Sequence, residues 1–209
     1  MSTEATTTTS PTTSPSILER FNRDLDGQPL RGMWAWTVLR LLLGWSFLWA
    51  FLDKMFGFGF ATCRLTNEAG EAVSGIDYAC DAAMIQGGSP TYGFLTFATE
   101  GSHTGFLFDW MAPSAADSVN FADVLFMLAL LLGGVALMLG IGTRIAAIGG
   151  AALMAFMFLA ADVWPENNPV NSSHVIEMAA FLGIATVGSS MFSLQGWFNR
   201  TFPSATWVR

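Results

Sequence analysis

Residues 34–54, WAWTVLRLLLGWSFLWAFLDK, decide the fold. Between 34 and 52 a single charge, Arg40, interrupts 19 residues. At 1.5 Å per residue they make roughly 28 Å of helix, enough to cross a hydrocarbon core of ~30 Å. Trp34 and Trp36 stand near one end, Trp45 and Trp49 towards the other, as the two interfacial aromatic belts require. Asp53 and Lys54 close the segment.

The rest of the chain agrees with a membrane setting. Hydrophobic residues make up 52% and charged residues 12%, about half the charge of an ordinary soluble domain. Three more apolar segments, 121–140, 144–163 and 174–192, follow the first. The expected fold is therefore an all-α integral membrane protein, a four-transmembrane-helix bundle over 33–195. A long outer loop, 55–120, separates its first two helices and carries interfacial helices. Residues 94–111 are apolar too, but Glu100, His103 and Asp109 make them a poor fifth crossing.

Basic residues set the expected orientation. With the N-terminus inside, Arg20, Arg23, Arg31, Arg144, Arg200 and Arg209 are cytoplasmic, whereas only Lys54 and Arg64 lie outside. Arg144 carries most weight, because it sits beside a very short turn. The expectation is a multi-pass protein of the cell membrane with both termini cytoplasmic. Most acids fall outside, so the net charge of −7 describes an acidic exterior and points away from nucleic acid.

Residues 1–16, MSTEATTTTSPTTSPS, read as a disordered tail. In the 17–32 juxtamembrane segment, Ile17, Leu18, Phe21 and Leu25 recur at helical spacing. A short surface helix and a plain linker both fit them. The last stretch, 196–209, is an aromatic, basic cytoplasmic tail.

The 55–120 loop holds both cysteines, Cys63 and Cys80, on the expected oxidising side. A structural disulfide closing a hairpin around NEAGEAVSG accounts for them better than dithiol chemistry, which uses Cys-x-x-Cys. The following GGSPTYGFLTFATEGSHTGFLFDWMAP, rich in glycine and aromatic residues, reads as a lid over the outer mouth. Gly133, Gly134, Gly140, Gly142, Gly149 and Gly150 suit close helix packing. None belongs to a nucleotide loop.

Ionisable residues gather at the expected outer ends: Asp53 and Lys54 on helix one, Asp162 on helix three, His174 and Glu177 on helix four. Charges at membrane depth are costly and so are candidate sites. Helix-end capping explains His174 and Glu177 equally well. A Lys54–Glu177 pair inside the bundle is a reasonable geometry. Arg40 reads either as an anchor reaching back to the interface or as a buried ligand contact. With only His103 and His174 in the chain, a bis-histidine haem cannot be built. One His-x-x-Glu falls short of a di-iron bundle, and no metal or nucleotide motif stands out.

Arg40-x3-Gly44-x9-Lys54, Gly140-x-Gly-x-Arg144, GGSPTYGFL and the polar opening of helix four resemble the DoxX/DoxD family. The resemblance covers roughly 30–195. It implies a quinone-linked oxidoreductase subunit and, more weakly, thiosulfate as donor, since DoxD proteins are the membrane subunit of a thiosulfate:quinone oxidoreductase. Carried over to this chain, it makes Arg40 and Lys54 candidates for binding quinone, and His174 and Glu177 candidates for catalytic proton transfer. A second oxidoreductase subunit on the outer side is the partner it implies, and the oligomeric state stays open. The alternative is a non-catalytic membrane accessory or scaffold protein that docks a partner through its outer loop.

Overall fold

An apolar run broken only by Arg40 becomes a helix that outlasts it at both ends. In the computed structural model, which describes residues 30–67, 71–164, 172–188 and 192–204, α1 spans Leu30–Phe56. The 1–16 tail and nearly all of the 17–32 segment lie outside the described residues. Met33–Phe56 of α1, α2 (Phe121–Leu139) and α3 (Thr143–Ala161) are each long and apolar enough to cross a membrane. Their outward faces are aliphatic: Leu42, Leu125, Leu132 and Ile148 are all exposed. Such a surface would be an aggregation patch in water and is the natural one against lipid. The protein is a mostly helical membrane protein.

The fourth helix corrects the expectation. It was expected over 174–192, but α4 covers Ser173–Val187 and is too short to count with the other three. Its 15 residues give roughly 22 Å. Ser172 caps its start by accepting from the Val175 amide, and Gly188 ends it in a non-helical conformation. Hydropathy continues past Gly188, into residues 189–191, which lie outside the described residues.

Side-chain size decides how closely the helices approach. Gly44 of α1 and Gly134 of α2 face each other: a Cβ on Gly134 would lie 2.9 Å from the Leu48 amide nitrogen, so only glycine admits this seam. Gly150 does the same for α3 against α4, where the Phe181 ring occupies the space of its absent side chain. Phe47 of α1 meets Phe181 at 5.0 Å between centroids. Leu130, Leu137, Met154 and Ile184 complete the buried centre. The pairs α1–α2 and α3–α4 are thus tight, whereas α2 and α3 touch over much less of their length. Gly133 also packs α2 on α1, a Cβ there standing 3.3 Å from the Phe47 ring, whereas Gly149 was expected to pack helices together and a Cβ on it would meet nothing within 4 Å. Gly140 and Gly142 form the α2–α3 turn, both at positive φ (69° and 61°).

Beyond α1 the chain builds the lid. Strands β1 (Arg64–Thr66) and β2 (Ala72–Ile76) pair antiparallel, Arg64 opposite Ile76. The Cys63–Cys80 disulfide closes their base. The lid helices are single turns, at Met84–Gln86, Phe94–Ala98, Gly105–Leu107 and Asp109–Met111. At the opposite end, α5 (Gln195–Thr201) sits beneath the α2–α3 turn, its Gln195 Oε1 accepting from the Gly142 amide at 2.7 Å.

Candidate functional site

Lys54 lies in the last turn of α1 and lines a cavity of about 200 Å3 between α1, α2, α3 and the lid. Around it stand Phe94 and Leu95 of the lid, Phe126 of α2, and Phe156 and Met157 of α3. Among the described residues Lys54 is the only charged one lining it. The site offers one strong hydrogen-bond donor inside an apolar shell, the usual composition of a small-molecule pocket. It suits a flat apolar group with an acceptor atom at one edge.

Two carboxylates hold this site together, and neither takes part in the cavity itself. Asp53 is buried and accepts from the amides of Phe60, Ala61 and Thr62 at 2.9, 3.0 and 2.9 Å. It therefore fixes the chain where it leaves α1. Asp123 is fully buried in the first turn of α2. Its Oδ1 accepts from Ser89 Oγ, Thr91 N and Thr91 Oγ1, all at 2.8 Å, and its Oδ2 from Asn120 N at 2.9 Å. Since Pro90, Thr91 and Leu95 roof the cavity, Asp123 ties the roof to the wall. Sequence reasoning passed over Asp123. Its signal was the capping box formed by Asn120 and Asp123.

The other expected site residues separate. His174 Nδ1 lies 2.6 Å from Asp162 Oδ2, joining the start of α4 to the end of α3. That is the one ion-pair contact among the described residues. Glu177 is half-buried on α4, and no Lys54–Glu177 pair forms. The expected pair fails because the wall facing Lys54 comes from α2, α3 and the lid, with no α4 residue among its lining. The lid also grips α3: Thr104 Oγ1 donates to the Leu159 carbonyl, and the His103 amide to that of Val163 at 2.8 Å.

Arg40 lines neither this cavity nor the larger one described below. Fully buried, it donates through Nη1 to the Leu137 carbonyl at 2.9 Å and through Nη2 to the Phe192 carbonyl at 3.2 Å. Leu137 is in the last turn of α2, where carbonyls lack helical partners and a cation suits the dipole. This is a structural post at the turn end of the bundle.

Fold and cavity together define a helical membrane protein with a lidded apolar site holding one cation. No protein-family model, no curated protein and no solved structure matches the chain.

Proposed function

We propose that this chain is a DoxX-like membrane subunit of a quinone-linked oxidoreductase, with the quinone ring seated in the lidded cavity at Lys54. The observation that carries the reading is the cavity's make-up: one ammonium among aromatic and aliphatic walls. A quinone ring is flat and apolar with carbonyl oxygens at its edge, and the Lys54 ammonium donates to one of them. Reduction to quinol takes two electrons and two protons. Thiosulfate is the donor the family resemblance implies: two thiosulfates release two electrons on joining through a new S–S bond to form tetrathionate. The acidic exterior repels that dianion, so donor access falls to Lys54 and Arg64 or to a partner subunit. Protons reach the lid end through His174, whose ring Asp162 orients, with Glu177 one turn further along α4.

In this reading the lid is outside, both termini are cytoplasmic, and α4 completes a fourth crossing. The test uses the purified protein in lipid nanodiscs with a tail-less benzoquinone, followed by tryptophan quenching. Saturable binding is expected, weakened at least tenfold by Lys54→Met, which keeps the side chain's length and removes its charge. Absent binding, or binding indifferent to Lys54→Met, overturns the proposal.

A second reading, an accessory protein that docks a partner through its lid, draws on Phe106 and Trp110, which are 68% and 72% exposed there. Binding of a partner with no quinone binding is the outcome that favours it.

A further inference from the structure

A second cavity, of about 490 Å3, runs between α2 and α3 towards the turn end of the bundle. Ala129 and Leu153 line both this cavity and the Lys54 cavity. The two therefore adjoin across these side chains, and together they mark a furrow that starts beneath the lid and descends between the helices. Along α2 its lining runs from Ala122 to Ala136, roughly 21 Å of helix.

Two structural features keep the furrow open. The helices α2 and α3 join through a short turn, yet pack loosely along their length compared with α1–α2 and α3–α4. Small residues then clear the space between them: Gly133, Ala136 and Gly149 line it, and a Cβ on Gly149 would have no neighbour within 4 Å. Leu125 and Leu132, 61% and 64% exposed, stand on its margin. The furrow thus opens sideways, on the face that three membrane-length helices turn to lipid.

We infer that the joined cavities form a single binding site for a one-tailed amphiphile of the bilayer, head at Lys54 and tail lying in the furrow. The inference rests on the quinone reading above, and gives that reading its substrate class: a ring with a long hydrocarbon tail, arriving laterally from the membrane. Charge placement fixes the polarity. Among the described residues Lys54 is the only charged group lining either cavity and stands at the lid end, so an acceptor-bearing head goes there. Two-tailed phospholipid fits poorly, because these two cavities follow one track and take one chain. Lipid chains are as apolar as the furrow, so the tail gains no hydrophobic free energy by leaving them. What the furrow contributes is close packing along a fixed track, and filling the track removes it.

The test compares a tail-less benzoquinone with the same ring bearing a long alkyl tail that ends in a diazirine. Wild type and Gly149→Leu are placed in nanodiscs, with partitioning into empty discs subtracted. Gly149→Leu should weaken the tailed quinone at least tenfold and leave the tail-less ring unchanged, because residue 149 lines only the lower cavity. On wild type, irradiation should label residues between 129 and 149, and excess unlabelled tailed quinone should suppress that labelling. Equal affinities in wild type and Gly149→Leu, with labelling scattered over the lipid face, would overturn the inference while leaving the quinone reading intact. Failure of both quinones to bind wild type would overturn the two together. Labelling equally strong with a ring-less alkyl diazirine, and not competed by the tailed quinone, would mean bulk lipid fills the furrow and would also sink the inference. The labelling arm needs no variant, so it decides even where Gly149→Leu fails to fold.

Discussion

Arg40 occupies a position in α1 where a charge is costly, and its guanidinium fork shows why the chain carries it there. Two carbonyls from distant parts of the chain, Leu137 and Phe192, end on its nitrogens. Gly140 leaves room for it, since a Cβ at that residue would strike Nη1. Arg40→Met should therefore strip two charge-assisted bonds and leave both carbonyls without that donor, at a cost of about 3 kcal/mol. In a thermal-shift measurement the midpoint should fall by roughly 6–12 °C. Arg40→Lys should restore only part of the loss, because a single ammonium lacks the planar fork that reaches both oxygens. Quinone affinity at Lys54 should stay put. A stable Arg40→Met protein that no longer binds quinone would reverse this assignment and make Arg40 a ligand contact. At this scale the sequence was legible in part. Lys54 stood out because a charged residue ends an apolar helix, and the structure does line a cavity with it. Its partner was misjudged, since the helix that faces Lys54 depends on packing between α1 and α2, which is governed by Gly44 and Gly134 rather than by any charge.

Elements divide by whether their cause is local. The long helices announce themselves through apolar runs, and the hairpin through its cysteines. The end of α4 was written locally too, in Gly188, but hydropathy continuing to Phe192 concealed it. The lid's seating had no local signal beyond the Asn120–Asp123 capping box, because Ser89 and Thr91 reach Asp123 across more than 30 residues of loop. That connection predicts how the roof behaves. Asp123→Ala removes the acceptor for two hydroxyls and two amides, so the segment around Thr91 should loosen while α2 persists. Hydrogen exchange over residues 89–98 should accelerate at least tenfold, and the tail-less quinone should bind more weakly. Asp123→Asn should fall between the two, since its amide group turns one acceptor into a donor facing the Asn120 amide. Unchanged exchange in Asp123→Ala would show that the grip of Ser102–Thr104 on α3 holds the lid unaided.

For the whole molecule, the question is whether a helix of 15 residues adds the proposed fourth crossing to three membrane-length helices. The turn end bears on it. After α4 the chain arrives beside the α2–α3 turn: Ser193 Oγ donates to the Gly140 carbonyl at 2.7 Å and the Leu194 amide to that of Leu139 at 3.0 Å. At its other end α4 is tied to α3 by His174 and Asp162. It therefore runs from the lid end towards the turn end, and the chain is next described there, at Phe192. Arg40, donating to the Phe192 carbonyl, helps hold the chain at that end. The proposed four crossings would put the two chain ends on one side, and the positive-inside rule applied to Arg144 beside the short turn would make that side cytoplasmic. Fusions to alkaline phosphatase and to a green fluorescent protein in intact bacteria test this directly. A C-terminal fluorescent fusion should glow and a C-terminal phosphatase fusion should be silent, whereas phosphatase inserted at Ser114 in the lid should be active. Phosphatase activity at both the lid and the C-terminus would mean that α4 fails to cross. Activity at the C-terminus with a silent lid would mean the bundle is inverted. Either result would remove the outer donor side on which the thiosulfate assignment depends.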